Sequence, residues 1–227
     1  MKKFILATCA ITLLGSQVFA ATDKQKIDSR LTRAATVIKD IMATPDKAIP
    51  DSILSSAKCV AVVPGFKKGA FVFGGEYGQG VVTCKTARGW SAPAFIQMTG
   101  GSWGLQIGAQ STDLVLVAVN SKGMQDLMQS KFKIGGNASA SAGPVGRDAS
   151  AATNLTLKSE LLTYSRSQGL FAGIDLSGTV VHQNTADTRV FYGTDRPFAS
   201  ILSGKVATPM AARPFVASVA RYFKSTQ

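Results

Sequence analysis

Glycine placement constrains this chain more than any other feature. Gly69, Gly74, Gly75, Gly78, Gly80, Gly100, Gly101, Gly104 and Gly108 fall inside or beside segments that otherwise read as strands. Glycine weakens strand pairing, so it is kept there where a sheet must bend sharply or let another backbone approach. At this density it predicts a strongly curled sheet or small barrel rather than a flat one. Glycine clusters near Gly69, Gly101, Gly135 and Gly169 recur every 32 to 34 residues. The side chains between them do not correspond, which argues for repeated hairpins and against a solenoid.

The strands themselves are short and β-branched. Cys59 to Val63 is one, stopped by Pro64-Gly65; Ala70–Phe73 and Gly80–Lys85 are two more, set around a turn at Gly74–Gly78. Trp90–Met98, Ser102–Ala109 and Asp113–Asn120 continue the pattern. Ser121–Lys131 breaks it with a helix whose apolar face is Met124, Leu127, Met128 and Phe132. Phe132–Ala142, Leu161–Arg166, Leu170–Leu176 and Thr179–Gln183 return to strands.

Helices bracket this core. Over residues 22–42, Ile27, Leu31, Ala34, Ile38 and Ile41 recur at spacings of four and three, forming one apolar face. Lys24, Lys26, Arg30, Arg33 and Lys39 lie elsewhere around that helix, diluted by Asp23, Asp28 and Asp40. Two uses fit it: packing on the sheet, or presenting Lys24, Lys26, Arg30 and Arg33 to a membrane. Asp51 caps a short helix to about Ala57. Residues 209–223 predict a last helix with Met210, Phe215, Val219 and Tyr222 inward. The expected fold class is α+β: a strongly curled antiparallel, Gly-rich β-sheet or small barrel-like core with N-terminal and C-terminal flanking α-helices. Residues 21–227 form one domain, with the β-rich core over 58–193.

The N-terminus has the grammar of export. Lys2 and Lys3 precede an apolar run, Phe4–Leu14, and Val18-Phe19-Ala20 suits a signal peptidase. The run is shorter than the roughly 20 residues a membrane-spanning helix needs. Met1–Ala20 therefore reads as a cleavable signal peptide, and the protein as periplasmic with peripheral association at a membrane. The chain carries a formal charge of +12, two charges of it in the leader. A spread basic surface suits anionic partners, phospholipid headgroups among them, or serves solubility. After the leader only Cys59 and Cys84 remain of the three cysteines. In an oxidising compartment a bridge between them is favoured; two small buried residues in separate strands also fit.

The catalytic inventory is thin. The single histidine, His182, sits in an alternating strand as a surface or edge imidazole, without companions for a metal site. Glu76, Glu160 and Asp175 are isolated acids. No Gly-x-Ser-x-Gly elbow is present, Gly75 to Gly80 reverses the dinucleotide spacing, and Ser203-Gly204-Lys205 lacks a P-loop's upstream glycine. Basic residues are not interleaved with aromatics as in RNA-binding modules. The reading is of no enzyme, no cofactor, no metal and no nucleic-acid partner.

Five segments carry a resemblance. They are Ala61–Pro64, Gly74–Val82, Gly89–Phe95, Ala142–Arg147 and Tyr164–Gly173, with Phe191-Tyr192-Gly193 in support. In that order and spacing the chain resembles the SYLF domain, over roughly Ile27 to Gly193. The resemblance implies a non-enzymatic module that binds acidic phospholipids, with an actin-binding role in some fungal members. Export removes actin and inositol lipids from the expected partners and leaves the envelope's own anionic phospholipids. An envelope protein partner is the alternative. Candidate headgroup ligands are Lys67 and Lys68 in a Gly65–Gly69 turn, Arg147 after a glycine-rich bend, and Arg166 between two serines. Either arginine would otherwise be a structural guanidinium, pairing with Asp148 or Glu160.

Overall fold

The structure is a computed structural model, and it describes residues 23–44, 48–71, 73–103, 108–145, 160–167, 170–171 and 176–224. The proposed leader, Arg147, Asp148 and Asp175 lie outside those residues. Helix α1 covers 23–42 and α2 covers Asp51–Ser56. Strands follow: β1 Cys59–Phe71, β2 Phe73–Thr86, β3 Gly89–Trp90, β4 Ala94–Trp103 and β5 Gly108–Ala118. After α3 (Ser121–Met128) come β6 Lys131–Lys133, β7 Ala140–Ala142, β8 Leu161–Ser167, β9 Leu170–Phe171 and β10 Val180–Gln183. The chain closes with α4 Thr185–Tyr192, α5 Phe198–Leu202, a 3-10 turn Met210–Ala212 and α6 Arg213–Tyr222.

The sheet runs β6-β10-β4-β2-β1-β5-β8-β7, with β3 beside β2 and β9 beside β8. Its curl follows from chain length. Eight flat strands would separate the two edges by about 34 Å. The edge strands β6 and β7 are joined by residues 134–139, which reach at most about 24 Å. A bridge between Ile134 and Ala138 draws them closer still. The sheet is a strongly curled half-barrel, antiparallel except where β7 runs parallel to β8.

Several elements differ from expectation, each for a tertiary reason. Pro64-Gly65 does not stop β1; it is a β-bulge, where the register shifts against both β2 and β5. Gly65 takes φ +64°, a conformation favouring glycine, and its N–H donates to the Asp113 carboxylate at 2.8 Å. Gly74–Gly78 is not a turn but the start of β2, paired on one side with β1 and on the other with β4. β4 pairs with β2 through Trp103, so Ser102–Ala109 is the end of one strand and the beginning of the next. Pro93 splits Trp90–Met98 into β3 and β4, and a turn splits Phe132–Ala142 into β6 and β7. Asp51 begins α2 rather than capping it; Pro50 holds the cap position. Met210, expected inward, is 77% exposed. Helices α4 and α5 were unexpected.

Both faces of the sheet are covered. On one, Ala61, Val63, Phe66, Ile96, Met98 and Leu116 pack with Leu127 of α3 and Ile201 of α5. On the other, Val60, Val62, Val81, Phe95, Val115 and Val117 meet α1, α2 and α6 through Ile27, Leu31, Ile38, Ile53, Phe215 and Val219. The apolar stripe of α1 is thus consumed by the core: Ile27, Leu31, Ala34, Ile38 and Ile41 are each at most 2% exposed.

Candidate functional site

Helix α1 lies across the strands, and ion pairs tie both its ends. Arg30 donates from Nη1 to Asp187 of α4 at 2.5 Å and from Nη2 to Gln79 of β2 at 2.6 Å. Asp40, ten residues on, accepts from Arg166 of β8 at 2.6 Å. Ten helical residues rise about 15 Å, and β2 to β8 is three strand spacings, about 14 Å. The helix therefore fits its anchors without bending.

Internal pairing of this kind occupies most of the described acids, Asp28 and Asp51 standing outside it. Among the described residues Asp23, Asp40, Glu76, Asp126, Glu160, Asp187 and Asp195 all sit in ion pairs. Asp113 is occupied at the bulge. Among the described residues Lys24, Arg33, Lys39, Lys58, Lys67, Lys85 and Lys205 join no ion pair. Much of the basic surplus is therefore surface charge outside ion pairs.

The candidate basic residues separate accordingly. Arg30, placed with the membrane-facing group, is 5% exposed and structural, because Asp187 arrives from the far end of the chain. Lys24, Lys26 and Arg33 are exposed, with Lys26 paired to Asp23 at 3.0 Å. Lys67 and Lys68 lie within β1, not in a turn. Lys68 meets the buried Glu76 carboxylate at 2.7 Å, and Thr179 donates to the same carboxylate at 2.7 Å. Lys67, on the opposite face, is exposed. Arg166 pairs with Asp40 rather than Glu160, which is held by Lys122 and the Ser139 amide. Arg147 lies outside the described residues. His182 lies between β4 and β6 rather than at an edge. It does not join Glu76 in one pocket, since Glu76 sits opposite Gly100 and His182 opposite Gln97. Among the described residues no three His, Cys, Asp or Glu groups could hold a metal, and no helix is long and apolar enough to cross a membrane.

What remains is one continuous surface on the helix-bearing face. A cleft of about 460 Å³ is lined by Gln25, Lys26, Ser29, Arg30, Arg33 and Gln79. One step along β2 from Gln79 is Tyr77, 46% exposed. Strand register sets Lys67 on one side of Tyr77 and Thr99 on the other, with Val180 and Lys133 beyond. The next row on that face is Gly69, Gly75 and Gly101. These glycines differ in kind from others in β2. A Cβ on Gly78 would come within 2.7 Å of Phe66 and Val63, and one on Gly80 within 2.5 Å of the Val62 carbonyl. A Cβ on Gly75 would meet nothing within 4 Å, and one on Gly101 only the Gly74 carbonyl at 4.0 Å. Gly78 and Gly80 are demanded by packing; Gly75 and Gly101 leave open backbone beside Tyr77 and Lys67.

In the structure a disulfide joins Cys59 to Cys84, directly opposed on β1 and β2 with Cα atoms 4.0 Å apart.

Comparison with known proteins decides the family. A family model described as Ysc84, Las17-binding protein actin regulator, matches residues 99–222. Protein YSC84 of Saccharomyces cerevisiae is 34% identical over 201 residues, 85% of this chain and 43% of that protein. The chain belongs to the Ysc84/SYLF family. LAS seventeen-binding protein 3 of the same yeast is 35% identical over 173 residues, covering 74% of this chain and 38% of its own length. SH3 domain-containing YSC84-like protein 1 of Mus musculus is 31% identical over 193 residues, 82% of this chain and 56% of that protein. The chain thus spans about two fifths of the length of the yeast relatives. The family description is that of an actin regulator, not of an enzyme.

The SYLF motifs largely build the fold. Ser91 Oγ lies 3.2 Å from Thr83 Oγ1, accepts from the Cys84 amide at 3.1 Å and donates to the Ala92 carbonyl at 2.9 Å, fastening β3 to β2. Tyr192 donates to the Pro93 carbonyl at 2.6 Å, and Phe191 meets Phe95 edge-on at 5.0 Å. The late Phe-Tyr pair of the SYLF domain is a clasp on its Trp-Ser-Ala-Pro segment. Sequence reasoning passed over Tyr77, whose exposure depends on where α1 ends over β2.

Proposed function

We propose that this SYLF domain is an exported, non-enzymatic protein that engages anionic phospholipid headgroups at the cell envelope. The observation that carries the reading is the unpaired charge of Arg33 and Lys67 around exposed Tyr77 and the open glycine row. A phenol among cations suits a lipid–water interface, its ring on apolar surface and its hydroxyl wet. The role of α1 is then to present Arg33 and Lys24 from a fixed position, since its apolar face is buried. The Cys59–Cys84 bridge supports an oxidising compartment, in keeping with the export signal.

Flotation with vesicles tests it. Binding should rise with phosphatidylglycerol or cardiolipin content over phosphatidylcholine at low salt and fall several-fold in R33Q/K67Q. Indifference to anionic lipid sinks the reading, and so does a steep salt dependence without headgroup selectivity. The family description and the relatives' names favour a second reading, a domain that binds a protein partner. One stoichiometric protein in a pull-down, with no lipid co-purifying, would select it.

A further inference from the structure

On the helix-bearing face, strand register orders what lies beyond α1 into three successive rows. The first runs Lys67, Tyr77, Thr99, Val180 and Lys133 across β1, β2, β4, β10 and β6. Lys67, Tyr77 and Lys133 are exposed, and neither lysine joins an ion pair among the described residues. The second row is Gly69, Gly75 and Gly101, of which Gly75 and Gly101 are exposed. The third is aromatic throughout: Phe71 pairs with Phe73, and Phe73 with Trp103. These three are also the last residue of β1, the first of β2 and the last of β4. The face therefore ends in a line of aromatic residues, with a line of exposed cations behind it.

Spacing fits this order to a bilayer. Four residues separate Tyr77 from Phe73, and Lys67 from Phe71, about 13 Å along a strand. Strands of a curled sheet lean about 40° from the barrel axis, which leaves about 10 Å of depth. Elements that lodge at a lipid surface bury their apolar side by about 5–10 Å. Cations held at the headgroups thus set the aromatic row at the boundary with the acyl chains, the depth at which tryptophan is enriched.

We infer that this end of the sheet enters an anionic phospholipid bilayer, Phe71, Phe73 and Trp103 passing below the headgroups that Lys67, Tyr77 and Lys133 contact. The inference rests on the lipid reading above and adds to it the depth and orientation of the sheet. It also gives binding an apolar part, which salt does not screen as it screens the lysines.

Tryptophan fluorescence of the full chain tests it, on phosphatidylglycerol–phosphatidylcholine vesicles brominated in their acyl chains. The chain has two tryptophans, and Trp90 is half-buried against Phe223. Emission of the wild type should shift to the blue on binding and be quenched by the bromine, and W103F should lose both changes. F71S/F73S should bind at least about tenfold more weakly, as the loss of two apolar contacts requires. R33Q/K67Q should bind less, with unchanged quenching in the molecules that do bind. Quenching of the wild type keeps the test decisive if F71S/F73S folds poorly. Vesicle binding without quenching at Trp103, or wild-type affinity in F71S/F73S, would overturn the inference and leave the lipid reading standing. Indifference of the wild type to anionic lipid would remove both.

Discussion

Replacing Arg30 with Met is the sharpest probe of how α1 is held. The guanidinium is 5% exposed and gives two bonds, one to the Asp187 carboxylate and one to the neutral Gln79 amide oxygen. A hydrogen bond to a charged partner contributes about 1.5–3 kcal/mol and a typical neutral one about 1. Methionine recovers part of this by filling the volume. Asp187, 18% exposed, keeps the Asn184 side-chain amide at 2.8 Å and gains water, which caps the penalty for stranding it. The expected cost is about 2–4 kcal/mol at pH 7. For a domain of this size that lowers the melting midpoint by roughly 5–15 °C. Equilibrium urea unfolding of wild type, R30M, D187N and R30M/D187N measures it, with the double variant closer to R30M than the sum of the singles predicts. Additive effects, or a cost in R30M below about 1 kcal/mol, would refute the claim that this pair locks the helix to the sheet.

The two classes of glycine give a second test: G80A should destabilise by more than about 2 kcal/mol through its clash with the Val62 carbonyl, whereas G75A should unfold at the wild-type midpoint. The C59A/C84A pair frees a loop of 25 residues and should lose about 3.5 kcal/mol on chain entropy, with neither thiol of the wild type labelled in non-reducing urea. Glu160 gives a pH test. Burial works against its charge, but the hydrogen bonds from Lys122 and the Ser139 amide outweigh it, holding the carboxyl below its ordinary 4.5. The stability it contributes is therefore present above about pH 4.5 and lost as pH falls below. E160Q should remove part of the acid-side decline in unfolding midpoint and leave its other causes in place.

What was legible in the sequence is what local pattern carries. The period of Ile27 to Ile41 located α1 and its buried face, and the glycine density announced the curl. The failures are residues whose partner is remote. Pro64-Gly65 reads as a stop because proline lacks an N–H, yet Asp113, 48 residues on, takes the Gly65 amide and lets β1 continue. Gly74–Gly78 reads as a turn until β1 and β4 pair with it from both sides. Arg30 reads as one more surface base on α1; its acid lies 157 residues away. Helix α4 has little apolar periodicity, but its ends were signalled by Asn184, which caps Asp187, and by Gly193 at φ +71°.

The fixing of α1 makes one prediction about vesicle binding. The Arg30–Asp187 and Asp40–Arg166 pairs tie the helix to its neighbours, and its apolar stripe is buried against the strands. Arg33 and Lys67 must then meet a bilayer from a rigid face, and amide exchange across 23–42 should be the same with and without phosphatidylglycerol vesicles. Faster exchange there on binding would mean that α1 lifts and offers Ile27, Leu31 and Ile38 to the lipid, and the rigid-face reading would fall.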